Sequence, residues 1–233
     1  MKPEYHFNIY QGTEEWFEMR RGILTASEMK LILTPTLKVA KNDKTRAHVY
    51  ELAAQRITGY CDDVYQSWDM ERGHIEEGLG RDIYNEHYES VKECGFVVSR
   101  TFGLKIGYSP DGLVGEDGLI ECKGRIQKHQ VATIVSDELP KEYLLQIQTG
   151  LLVTQRQWCD FISYSNGMHM YVKRIYPDVK VQKAIVEAAK DFEGEIVAAV
   201  DKYNENSKGL QVVERIDYQC GEGFVSSSDE VMA

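Results

Sequence analysis

The 233-residue sequence predicts a mixed α/β fold, not a doubly wound one. Three observations carry this. Helical periodicity dominates residues 13–89, short strand-like runs fill residues 95–123, and a helix, two strands and one long helix follow. Hydrophobic residues make up 42% and charged residues 27%, enough apolar surface for a sizeable core.

In chain order, residues 13–33 read as two short helices, with Thr25-Ala26-Ser27-Glu28 as a capping box. Residues 44–58 place Val49, Leu52, Ala53 and Ile57 on one helical face. Residues 69–89 read as a further helix despite Gly73, Gly78 and Gly80. The runs FVVS, LKIGYS, GLV and GLIECK between residues 96 and 123 are punctuated by glycine and a GEDG turn, the pattern of antiparallel strands. Residues 141–155 return to helix, and WCDFISY and MYVKRIY read as strands. Residues 179–204 form the clearest amphipathic helix, with Ala184, Ile185, Ala188, Phe192, Ile196 and Val200 in register. Residues 1–220 are expected to form a single domain, and residues 221–233 a flexible tail.

The net charge of −10 argues against a nonspecific nucleic-acid coat, which would be basic. It leaves room for an enzyme that concentrates acids to hold cations. The five scattered cysteines form no CxxC, so free thiols are expected and a cysteine-bound zinc or iron–sulfur site is not. No apolar run is long enough to span a bilayer and the N-terminus lacks signal-peptide character, so no membrane association is expected.

The informative stretch is YSPDGLVGEDGLIECKG, residues 108–124. Strand residues two apart share a face, so Glu121 and Lys123 project together while Cys122 points into the core. Asp111, at the end of the preceding strand, can approach Glu121 across the ladder. Two carboxylates that close repel each other unless a cation lies between them. Hard oxygen ligands suit Mg²⁺ or Mn²⁺, which polarises a phosphodiester and acidifies a bound water. A neighbouring lysine steadies the developing charge. The other ExK in the chain, Glu28-Met29-Lys30, lies in a helical pattern, where residues two apart do not share a face. A surface ion pair on an exposed strand is the plainer explanation of ExK alone.

Pro110-Asp111 followed by Glu121-x-Lys123 is the pattern of the PD-(D/E)xK nucleases. With EEWFEMRRGILTASEM (14–29), GHIEE (73–77), SPDG, ECKG and YLLQIQTGLLVT (143–154) in that order, the chain resembles the phage lambda exonuclease and YqaJ-type viral recombinase family, from about Glu14 to Thr154. The resemblance implies a restriction-endonuclease-like core, a mixed central sheet flanked by helices. It implies an Mg²⁺-dependent 5′→3′ exonuclease that degrades one strand of linear duplex DNA. Position by position it implies metal ligands at Asp111, Glu121, the backbone carbonyl of Cys122, and Glu77, with Glu76 as the neighbouring alternative. It also implies a catalytic Lys123, a helix glutamine near the site at Gln148, and a 5′-phosphate pocket of Arg20, Ser27 and Ser109. Ser27 gains physical sense from lying in a capped helical first turn, which attracts phosphate. The family's arginine several residues after ExK is replaced by His129 here, with Arg125 and Lys128 nearby. Trp16 is expected in the core. The family further implies a homotrimeric ring, a single-strand annealing partner, phage-type recombination and a bacterial host cytoplasm. A restriction-like endonuclease of the same fold, and an inert DNA-end-binding protein, are the alternatives.

Overall fold

The computed structural model describes residues 2–62 and 68–216. The expected tail, residues 221–233, lies outside the described residues, as does Cys220. Cys61, Cys94, Cys122 and Cys159 are free thiols.

The strands form two mixed sheets rather than one. The four-stranded sheet runs β1 (Glu4–His6), β4 (Phe96–Ser99), β5 (Ile106–Tyr108), β2 (Leu24–Thr25). The five-stranded sheet runs β3 (Val91–Lys92), β6 (Gly112–Val114), β7 (Gly118–Gly124), β8 (Trp158–Tyr164), β9 (Tyr171–Ile175). The chain passes from one sheet to the other at Ser109-Pro110-Asp111, between β5 and β6. Proline has no N–H to extend a ladder, so the strand stops here and the sheets part. β6 and β7 form the expected antiparallel hairpin around the GEDG turn, while β7 pairs with β8 in parallel.

Helices α1 (Glu14–Arg20), α2 (Met29–Ile32), α3 (Asp43–Thr58), α4 (Trp68–His87), α5 (Gln127–Ser136), α6 (Lys141–Thr154) and α7 (Val179–Asn206) flank the sheets. The helix expected to begin at Thr25 is instead one 3₁₀ turn, Ala26–Glu28, followed by the four residues of α2. Glu28 does accept from the Thr25 N–H at 3.0 Å and from its hydroxyl at 2.8 Å. Such a short element carries only a small dipole. α7 buries Val181, Ile185, Ala188, Ala189, Phe192 and Ile196, close to the expected stripe, and packs on α3. None of the described helices is long and apolar enough to cross a membrane.

Two glycines set distances that matter at the site. A Cβ on Gly80 of α4 would lie 2.5 Å from Cys122 Sγ of β7. One on Gly150 of α6 would lie 2.7 Å from the Tyr108 ring. Their missing side chains let α4 and α6 press against the strands that carry the acids. Of the three glycines of α4, Gly80 serves close packing, whereas a Cβ on Gly73 or Gly78 would meet nothing within 4 Å.

Candidate active site

Glu121 sits in the middle of β7, 1% exposed. Its carboxylate is fixed from two directions. The Tyr108 hydroxyl donates to Oε2 at 2.7 Å, and Gln146 Nε2 of α6 donates to Oε1. Lys123, two residues on and on the same face, places Nζ 2.8 Å from Glu121 Oε1. The same ammonium reaches Glu77 Oε1 of α4 at 3.0 Å. Asp111, at the corner between the sheets, accepts from the Cys122 N–H at 2.7 Å. β6 pairs with β7 only as far as Gly112 opposite Ile120, so the edge of β7 beyond it faces Asp111. An extended residue directs its N–H and C=O to the same side, so the Cys122 carbonyl leaves β7 on the edge that Asp111 occupies.

The electrostatics follow from this crowding. Burial, and then the charge of Glu121, hold the Asp111 carboxyl well above the usual carboxylate range, against the pull of Lys123. Burial alone would lower the Lys123 pKa, but Glu121, Asp111 and Glu77 together raise it well above the ordinary lysine range. The cluster holds more negative charge than one ammonium balances.

The structure brings Asp111, Glu121, Lys123 and Glu77 together. It separates Glu77 from Glu76, whose carboxylate packs against Gly124 with Oε2 lacking a hydrogen bond and 3.7 Å from Arg72. It corrects the helix glutamine. Gln148 points away from the acids, donating to the Tyr176 carbonyl at 2.8 Å and accepting from the Asp178 N–H at 2.7 Å. Residues two apart on a helix face nearly opposite ways, so the glutamine that meets Glu121 is Gln146.

A second cluster adjoins the first through Ser109. Trp16 Nε1 donates to Ser109 Oγ at 2.8 Å, and the Arg20 guanidinium lies 4.1 Å from the Trp16 ring centroid. Arg20 also donates to the Thr25 hydroxyl at 3.4 Å, which is 3.2 Å from Ser27 Oγ. Trp16 is therefore not simply core: it joins α1 to the corner that carries Asp111. Burial lowers the Arg20 pKa, with Glu28 pulling it back. Arg21 instead pairs with Glu18 at 3.2 Å. Among the described residues Arg125, Lys128 and His129 make no hydrogen bond to this cluster. Arg125 is buried and donates to Glu142 at 3.0 Å and the Tyr143 hydroxyl at 2.8 Å, while Lys128 and His129 are exposed on α5.

Two cavities differ in their relation to these residues. The larger, about 670 Å³, lies between α3 and α7 and includes none of the acids. The smaller, about 250 Å³, opens on Glu77 and Asp111 and is walled by Phe7, Ile9, Tyr10 and Gln11, by α4 and by residues 93–95.

Residues 15–157 match the YqaJ-like viral recombinase domain, a span that includes both clusters. The chain belongs to this family. No curated protein matches it in sequence. Among solved structures it is similar to an alkaline exonuclease, LHK-Exo from Laribacter hongkongensis, with 32% identity and a TM-score of 0.75, over 85% of this chain and 100% of that one. The same exonuclease in complex with dAMP superposes with a TM-score of 0.76. A phage-related exonuclease from Haemophilus somnus 129PT shares the fold at 12% identity, with a TM-score of 0.51, over 76% of this chain and 96% of that one. The fold of this YqaJ-like member is thus restriction-endonuclease-like, and its structural relatives are exonucleases.

Proposed function

We propose that this YqaJ-family chain is a divalent-metal-dependent exonuclease that degrades one strand of linear double-stranded DNA from its 5′ end. The observation that carries this is the convergence of Asp111, Glu121, Lys123 and Glu77 where β7 meets α4. That convergence makes the inert end-binding alternative the weaker one.

The donor set suits Mg²⁺ or Mn²⁺: hard oxygens from Asp111, Glu121 and the Cys122 carbonyl, with Glu77 opposite. Among the described residues no three such side chains meet as a ready-made cage, and Lys123 supplies the neutralising charge between Glu121 and Glu77. Burial first, and then the neighbouring charge of Glu121, raise the proton affinity of Asp111, and a cation bound between the two carboxylates would offset the second of these. A bound divalent cation supplies Lewis acidity and an acidified water. The remaining work falls to the chain. Tyr108 and Gln146 keep Glu121 in one orientation. Lys123 offers an ammonium to charge that develops on the phosphate or the attacking oxygen. Arg20, Ser27 and Ser109 hold the terminal 5′-phosphate beyond the acids, which sets polarity.

The homotrimeric ring, the single-strand annealing partner, phage-type recombination and action in a bacterial host cytoplasm rest on the family. The extent of a single domain over residues 1–220 rests on the sequence pattern alone.

The deciding experiment uses linear duplexes labelled separately at each end. With Mg²⁺ the 5′ label is released first as a mononucleotide, EDTA stops the reaction, and covalently closed circles survive. Release of the 3′ label first refutes the polarity, and cutting of closed circles favours the endonuclease alternative.

A further inference from the structure

The cavity that opens on Glu77 and Asp111 has an aromatic wall, and the two rings in it differ in what they already touch. Phe7 is stacked on Tyr5 at 5.9 Å and carries Lys92 Nζ 4.0 Å from its centroid. Tyr10 is 67% exposed, and among the described residues its ring meets no other ring or cation and its hydroxyl has no hydrogen-bond partner. The backbone beneath Tyr10 is nevertheless held. Its carbonyl accepts from the Thr13 N–H at 3.2 Å and from the Thr13 hydroxyl at 2.8 Å. Gln11 Nε2 donates to the Pro110 carbonyl at 3.1 Å, which ties the segment to the corner bearing Asp111. An uncommitted ring on a fixed backbone thus lines the same cavity as Glu77 and Asp111.

Two polar side chains of this cavity, Arg81 and Gln11, are engaged by the protein, while His74 is exposed. Arg81 donates to the Asp111 carbonyl at 3.4 Å and pairs with Glu93 at 3.3 Å. His74 lies 3.9 Å from Glu77, and Gln11 is spent on Pro110. Arg81 and Gln11 are thereby occupied, and beside them the flat π face of Tyr10 is open.

From this we propose that Tyr10 is the stacking platform for the base of the terminal nucleotide of the strand being cut, and that the cavity accepts this base without reading its identity. An enzyme that removes nucleotides one by one must take all four bases, and each base offers a π face to an aromatic ring. Stacking next to the acids also fixes the sugar–phosphate link against sliding. The inference rests on the nuclease function proposed above and names a subsite of it.

The test compares wild type, Tyr10→Ala and Tyr10→Phe on two blunt duplexes. One is intact; in the other the terminal nucleotide of every strand end is abasic, so the comparison does not depend on polarity. Release of the first nucleotide is measured as kcat/KM. Wild type should prefer the intact duplex by about ten-fold, the scale of one base–aromatic stack. Tyr10→Ala should lose about that factor on the intact duplex and show almost no preference between the two, while Tyr10→Phe keeps both rate and preference. Wild-type rates on intact duplexes ending in each of the four bases should agree within a few-fold. The inference is overturned if wild type ignores the missing base, if Tyr10→Ala keeps the preference, or if one terminal base is strongly favoured. If wild type cuts neither duplex, the nuclease function fails and the subsite with it.

Discussion

Lys123 Nζ of β7 lies 3.0 Å from Glu77 Oε1 of α4, so the ammonium that neutralises Glu121 also ties the strand to the helix. This contact gathers residues 46 positions apart in sequence around one charge. Removing the amine should separate chemistry from metal binding, because an ammonium is not a ligand. Lys123→Ala should lose activity on the order of 100-fold or more. It should still be stabilised thermally by Mn²⁺, whereas Asp111→Ala should lose both activity and the Mn²⁺ shift. A Lys123→Ala enzyme within a few-fold of wild type refutes the catalytic assignment.

Gln146 and Gln148 invite a second comparison. Gln146 fixes the buried carboxylate of Glu121, while Gln148 joins the Tyr176 carbonyl to the Asp178 N–H near the start of α7. Gln146→Ala should lower turnover with a modest change in urea midpoint. Gln148→Ala should cost about 1–3 kcal/mol of stability by leaving buried groups unpaired, with near-normal turnover in the folded fraction. The reverse pattern would restore Gln148 to the site.

Close packing of α4 gives a third. A methyl at position 80 would lie 2.5 Å from Cys122 Sγ and 3.3 Å from Tyr164 Cβ. Gly80→Ala should therefore cost roughly 1–3 kcal/mol and draw Glu77 away from Lys123, lowering activity as well. Adding Cys122→Ala removes the sulfur and should recover much of both losses. Denaturant melts and nuclease assays on the single and double variants check this, and no recovery would place the clash elsewhere.

How much of this was legible follows from particular residues. Glu121 and Lys123 are legible because strand periodicity fixes which residues share a face, and Asp111 because the GEDG hairpin folds β7 back toward it. Gln146 and Gln148 could not be separated, because the sequence supplies both amides but not the rotation of the helix that carries them. α5 is not legible in the sequence because part of its buried face is polar. Gln130 and Thr133 are buried there, and Gln130 bonds to the Ser163 and His169 carbonyls. An apolar-periodicity argument is blind to such a face. The two-residue strands β2 and β3 are too short to show alternation. Trp16 read as core because its size and hydrophobicity say so, and only the fold reveals that its N–H meets Ser109.

His48 supplies a pH dependence. It is buried on α3 between Glu51, 3.0 Å from Nδ1, and Glu28, 3.6 Å from Nε2, and it stacks on Phe192. Burial pulls its pKa down, but Glu28 and Glu51 outweigh this and the net shift is upward from 6.5. A raised folded pKa means the contribution to stability is fully present below 6.5 and is lost as pH rises through the folded value. Urea midpoints of wild type should thus fall above that pH relative to His48→Gln, which lacks the titration. Parallel profiles for the two proteins would show that the histidine is not the group responsible.

Polarity is the last expectation, and Arg20 is the residue proposed to set it. Among the described residues its guanidinium has no carboxylate within ion-pair distance. It rests on the Trp16 ring and reaches the Thr25 hydroxyl, with Ser27 beyond and Ser109 held by the same tryptophan. A partly desolvated guanidinium with no carboxylate partner among the described residues matches a phosphate dianion in shape and charge. If the strand is degraded from its 5′ end as proposed, each cut exposes a new 5′-phosphate that the same pocket would draw into register. Linear DNA with a 5′-phosphate should be digested faster than the same DNA with a 5′-hydroxyl. Arg20→Ala should erase most of that difference while binding to duplex far from the end changes little. Arg20→Lys should recover only part of it, because a point charge replaces a fork. The measurement is a comparison of the three proteins on phosphorylated and dephosphorylated ends. If Arg20→Ala keeps the full phosphate preference, the terminal phosphate is held elsewhere, and the Arg125–His129 segment becomes the place to look.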